Sequence, residues 1–120
     1  VLVWTGKLPE DLRNQIVAFR PAGTEQGDML TKRVVAQEGD TVRIKNSQLY
    51  VGVTDTPVPG PEMDRRFNRK TWEVGTDQLF VVGDNRNNSR DSREDGPIER
   101  INVVGRVVYR VLPWAKRGKV

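Results

Sequence analysis

Short apolar runs alternate with turn-rich polar stretches along the whole chain. Residues 1–4 (VLVW) and 16–20 (IVAFR) are brief apolar runs with turn material between them, and residues 29–37 are rich in β-branched side chains. Gly39-Asp40 marks a turn. Residues 41–45 then alternate at strand period, with Val42 and Ile44 on one side and Arg43 and Lys45 on the other. Asn46-Ser47 is placed to turn this strand back into residues 48–53, which predicts a β-hairpin. Residues 54–70 differ in kind. Pro57, Pro59, Gly60 and Pro61 interrupt regular structure and residues 63–70 are charged, so a long excursion from the body is expected. Strand character returns at 72–74 and 79–82, one helical turn fits 97–102, and 103–112 reads as a final strand interrupted by Gly105. There is no internal repeat and no long helical pattern. The predicted class is all-β, either a sandwich or a partly open barrel of mostly antiparallel strands.

Composition narrows the chemistry. A chain of 120 residues supports one compact domain with a modest core. No apolar run approaches the ~20 residues needed to cross a bilayer. The sequence opens on Val1-Leu2-Val3-Trp4 without an initiator Met or a signal peptide, and is expected to be a fragment of a longer protein. It has no Cys and no His. The usual zinc sites and thiol nucleophiles are therefore excluded, and a Ser-His-Asp triad cannot be built from this chain alone. Acid–base work falls to Lys, Asp, Glu, Tyr or water, and no cofactor is implied. Of the net charge of +4, residues 106–120 contribute +5 through Arg106, Arg110, Lys116, Arg117 and Lys119, leaving the remainder at −1. Nucleic acid calls for a broad basic face, which is lacking. A short basic tail beside Trp114 suits an anionic phospholipid surface, or simply solvent.

Two stretches carry candidate chemistry. In LTKRVVAQEGDTV, residues 30–42, Lys32 lies inside an apolar strand, where alternation places Leu30, Val34 and Ala36 on its face. Such a lysine can be an edge-strand device against aggregation. It can also be a base. A lysine that accepts a proton near neutral pH needs surroundings that disfavour its ammonium by about 3–4 kcal/mol, which burial among apolar side chains can supply. Its usual partner is then a serine nucleophile. The second stretch is FVVGDNRNNSRDSREDGPI, residues 80–98. Three apolar residues run into Gly83, twelve polar or charged residues follow, and Gly96-Pro97-Ile98 returns to structure. Asp84, Arg86, Asp91 and Arg93 alternate in sign, which favours internal ion pairs; a solvated loop would have a similar composition. A phosphate loop fails for want of Gly-Lys-Ser/Thr, and an EF-hand fails because Arg86 occupies a ligand position.

Taken together, KRVVAQEGDTV and GDNRNNSRDSREDGPI resemble two sequence boxes of the type I signal peptidases, the membrane-bound Ser-Lys endopeptidases of bacteria. The family's Gly-Asp-Asn-Arg-x-x-Ser-x-Asp-Ser-Arg is met at every fixed position from Gly83 to Arg93. The first box keeps Lys32-Arg33 and Gly39-Asp40 but has Ala36-Gln37-Glu38 in place of Gly-Leu-Pro. RNQIVAF, residues 13–19, is similar to a third box without its Gly-Asp. The resemblance spans nearly the whole chain, and residues 46–77 would be the family's variable β-rich insertion within a single catalytic domain.

The resemblance implies Lys32 as general base, Ser89 orienting its amine, Asp91 and Arg93 as a bracing ion pair, and Arg33 with Asp84 as another. It implies that Met29, Leu30 and Thr31 lie on the strand that receives the substrate by β-addition. The substrates would be signal peptides of exported preproteins, cut by acyl-enzyme chemistry at the extracytoplasmic face of the bacterial cytoplasmic membrane. The family's nucleophile lies in a Ser-Met-x-Pro motif. The only serines here, Ser47, Ser89 and Ser92, lack that context, so the nucleophile and a transmembrane anchor are expected upstream of Val1, and the fragment is expected to be inactive alone. The alternatives are a specialised Ser-Lys maturation peptidase, such as a pilus maturase or a relative of self-cleaving repressors, and a catalytically dead relative that binds extended peptides or membrane surfaces.

Overall fold

A computed structural model describes residues 2–21, 29–84, 90–111 and 117–119. Among these described residues ten strands form two sheets that do not close into a barrel. The large sheet has the order β1-β9-β2-β3-β7-β8, built from Leu2–Thr5 (β1), Val103–Val111 (β9), Ile16–Phe19 (β2), Leu30–Gln37 (β3), Gln78–Val82 (β7) and Ile98–Glu99 (β8). The small sheet is β5-β4-β6, from Gln48–Val51, Thr41–Lys45 and Thr71–Glu73. Every pairing is antiparallel. Among the described residues no helix is long and apolar enough to cross a membrane.

The hairpin expected at Asn46-Ser47 forms, with Lys45 opposite Gln48. Both turn residues take the left-handed conformation, φ 51° and 62°, the mirror-image turn that matches strand twist. Neither is glycine, so the conformation needs support. Asn68 gives it: its side-chain oxygen accepts the Ser47 N–H at 2.8 Å, while the Ser47 carbonyl accepts from Met63 N–H at 2.9 Å. The charged excursion is thereby tied down. It holds a 3₁₀ turn, Arg65–Phe67, and sends Met63 and Phe67 into the core.

Strand β7 is apolar from Leu79 to Val82, where it is buried on both faces. Phe80 and Val82 pack with Val35, Ala36, Val42, Ile44, Leu49, Met63, Phe67 and Val74, a core shared by the two sheets. Leu79 and Val81 pack on the opposite face with Leu12, Val17, Phe19, Val34 and Val103. Each fully buried large apolar side chain contributes roughly 1.5–3 kcal/mol.

Three expectations need correction. Ala36 does not share the face of Lys32. The β3–β7 register runs Val34 to Val81 and then Ala36 to Phe80, so a bulge at Val35 inserts one residue and reverses the alternation. The strand at Val103–Val111 is not the last: β10, Arg117–Lys119, pairs with β9, placing Lys119 opposite Tyr109. The basic end of the chain is thus partly sheet rather than a loose tail. Lastly, the single turn at the end of the long polar segment is a 3₁₀ turn confined to Arg100–Asn102, and a short α-helix that the sequence did not suggest, α1, spans Ser92–Asp95.

Candidate active site

Lys32 stands on β3, half-buried, directly opposite Val17 of β2. Leu30 and Val34 flank it along its own face. The next residue, Arg33, points to the other face and grips Asp84 with two hydrogen bonds, Nε to Oδ1 at 3.0 Å and Nη2 to Oδ2 at 3.2 Å. A third, Nη1 to the Asn14 carbonyl at 2.8 Å, ties this pair to the start of β2. The bidentate fork is well formed but exposed, so its contribution is modest.

Residues 91–93 of the polar segment form a packed network. Asp91 and Arg93 have no side-chain exposure and form a bidentate pair, Nε to Oδ1 at 2.8 Å and Nη2 to Oδ2 at 2.7 Å. Local geometry makes this possible. Asp91 is the extended N-cap of α1, and its Oδ1 also accepts the Arg93 N–H at 3.0 Å. The second oxygen accepts the Gly83 N–H at 2.9 Å, which fastens the segment to the end of β7. Ser92 adds another tie: its buried Oγ accepts the Val81 N–H at 2.9 Å. Burial alone would raise the Asp91 carboxyl. Hydrogen bonds from the Arg93 side chain, Gly83 N–H and Arg93 N–H outweigh it and hold the group below the usual carboxylate value. Among the described residues no buried side-chain polar atom lacks a hydrogen-bond partner.

Asp40 plays a similar part at the far end of β3. Its Oδ2 accepts the Gln37 N–H, closing the turn, while its carboxylate takes a fork from Arg13 at 2.9 and 3.1 Å. Two of the sequence boxes are thus joined by one ion pair. Desolvation pushes Asp40 up, but Arg13 and the Gln37 N–H pull it below the ordinary range.

The start of β3 has an open side among the described residues. Thr31 and Leu30 pair with Ala18 and Phe19 of β2, whereas β7 reaches only as far as Arg33. Met29 and Leu30 are exposed, at 44% and 37%. A cavity of about 410 Å³ lies against this face, lined by Phe19, Leu30, Val81, Ser92, Pro97 and Ile98 among others. Arg33 and Asp84 are therefore brought together, as are Asp91 and Arg93, while Lys32 shares β3 with Leu30 and Thr31, and Met29 immediately precedes the strand. Ser89 lies outside the described residues. Sequence reasoning missed the structural role of Ser92, which its residue type alone does not disclose, and that of Phe67, which sits within the charged excursion.

The family model for signal peptidase, peptidase S26, matches residues 6–114. Thylakoidal processing peptidase 1 of Arabidopsis thaliana is 35% identical over 101 residues, covering 84% of this chain and 30% of the plant protein. The probable signal peptidase I-1 of Synechocystis is 31% identical over 111 residues, covering 88% of this chain and 57% of that protein. Signal peptidase IB of Staphylococcus aureus is 28% identical, covering 84% and 68%. The chain thus spans between about a third and two thirds of these relatives. A crystal structure of a signal peptidase I from Enterococcus faecalis superposes with a TM-score of 0.63 at 23% identity, covering 83% of this chain and 98% of that one, which shows a shared fold. With the family model spanning nearly the whole chain, and the Lys32 and Asp91–Arg93 boxes set in its fold, this chain belongs to the signal peptidase family, peptidase S26.

Proposed function

We propose that this chain is the base-bearing part of a serine endopeptidase that removes signal peptides from exported preproteins. The observation that carries the proposal is the placement of Lys32: half-buried on β3, beside an open strand edge, in a sheet locked from behind by the buried Asp91–Arg93 pair. Lys32 Nζ would take the proton of a serine hydroxyl as that oxygen attacks the scissile carbonyl, then deliver it to the departing amine. Water, activated by the same amine, would cleave the acyl-enzyme ester. Ser89 would orient the amine. Residues 29–31 would receive the substrate as an added strand, with small side chains admitted at the positions one and three before the cut.

The serines described here do not suit attack. Ser47 sits in the β4–β5 turn of the small sheet, and Ser92 is buried with its Oγ engaged by Val81. The proposed reaction would take its nucleophile from residues preceding Val1, and a transmembrane anchor there would hold the domain at the extracytoplasmic membrane surface. The isolated chain would then be inactive. The test is Lys32→Ala in the complete enzyme. Cleavage of a model preprotein is expected to be lost while the circular-dichroism spectrum is unchanged; retained cleavage removes Lys32 as the base. A complete wild-type protein that binds extended peptides without cutting them would overturn the peptidase proposal.

A further inference from the structure

Residues 65–70, RRFNRK, hold four cations in six positions, yet the fold turns their one apolar residue inward. Asp64 caps the 3₁₀ turn, its Oδ1 accepting the Arg66 N–H at 2.9 Å. Phe67, 3% exposed, enters the core shared by both sheets. Three cations meet its ring: Arg66 at 4.6 Å, Arg93 at 5.3 Å and Lys70 at 5.4 Å from the centroid. Arg66 and Lys70 are exposed and keep access to water. Arg93 is not, and the ring occupies a place that solvent would otherwise take. A guanidinium is weakly hydrated and flat, so an aromatic face is a good substitute for water there. A second tie lies alongside, since Arg66 Nη2 donates to Glu94 Oε1 on α1. Two consecutive residues of the inserted segment thus grip two consecutive residues of the brace.

We propose that Phe67 is a positioning residue for the peptidase reaction, closing over Arg93 so that the Asp91–Arg93 pair stays dry and α1 stays fixed against β7. The effect reaches the base through named contacts. Arg93 holds Asp91, Asp91 holds the Gly83 N–H at the end of β7, and β7 pairs with β3 where Val82 meets Arg33, the residue after Lys32. The insertion is then part of the support of the site. This role rests on the proposed peptidase function, but the contact beneath it can be tested separately.

Two variants separate ring from bulk. Phe67→Leu keeps an apolar side chain and removes the aromatic face; Phe67→Tyr keeps the face. In this chain, NMR exchange of the Arg93 Nε–H with water is expected to speed up by about tenfold in Phe67→Leu, the scale of a desolvated cation–π contact, and to stay near wild type in Phe67→Tyr. In the complete enzyme, Phe67→Leu should lower kcat by a similar factor of about ten while KM for a preprotein holds, and Phe67→Tyr should restore kcat. Unchanged Arg93 exchange in Phe67→Leu overturns the proposal, whatever happens to kcat. Faster exchange with unaltered kcat also overturns it, leaving the ring a packing element. If exchange responds but wild-type enzyme cuts no preprotein, the peptidase function fails and the positioning role with it, while the contact stands.

Discussion

The Asp91–Arg93 pair offers the sharpest test of whether residues 84–95 are architecture or solvated surface. Asp91→Ala would strip both carboxylate bonds from a guanidinium with no exposed side-chain surface. It would also orphan the N–H groups of Gly83 and Arg93 and remove the N-cap of α1. Breaking one side of a buried pair costs about 3–5 kcal/mol, because a charge is left desolvated and uncompensated. An exposed pair costs about 1 kcal/mol at most. Against a total stability of roughly 5–15 kcal/mol for a domain, the buried case removes a large fraction. With a urea slope of about 1.5 kcal/mol per molar, the midpoint should fall by about 2–3 M. Arg93→Met should cost a similar amount. The double variant should cost far less than the two losses added, since no charge is then left unpaired. The assay is urea unfolding followed by tryptophan fluorescence and circular dichroism. A loss near 1 kcal/mol for Asp91→Ala, or additive single losses, would refute the buried-pair account.

Other outcomes follow from the same contacts. Asp91 and Asp40 are both held below the ordinary carboxylate value, so their stabilising effect is fully present above the unfolded value near ~3.9 and is lost as pH falls through that point toward the folded values. The melting temperature should therefore be flat from about pH 7 to pH 5 and drop below about pH 4, with a shallower acid limb in Asp91→Asn; equal acid limbs in the two proteins would count against the assignment. Arg33→Ala, which removes an exposed fork, should cost about 1 kcal/mol or less in the urea assay, and a loss as large as that of Asp91→Ala would show that exposure is a poor guide here.

Strand placement was largely legible in the sequence, because alternation and turn residues act over a few positions. Residues 41–45 and the Asn46-Ser47 turn declared the hairpin, and the apolar run at 79–82 marked a strand, though not that both its faces are buried. The pairing of opposite charges within residues 84–93 could also be read, though not its burial. What distant parts of the chain do to one another was less visible. The bulge at Val35 depends on β7 and reverses the side on which Ala36 lies. The strand at Arg117–Lys119 exists because β9 is long enough to pair with β2 along one half and β10 along the other. Phe67 lies among cations in the sequence, and only the folded chain shows its ring entering the shared core and meeting Arg93 of α1. By itself, then, the sequence determined the local β character, the absence of histidine and thiol chemistry, and Lys32 as the candidate base. The tertiary structure decided which charges leave water: Arg33 and Asp84 stay at the surface, while Asp91 and Arg93 go inside, because the Gly83 N–H bonds Asp91 and the Phe67 ring covers Arg93, which makes burial tolerable.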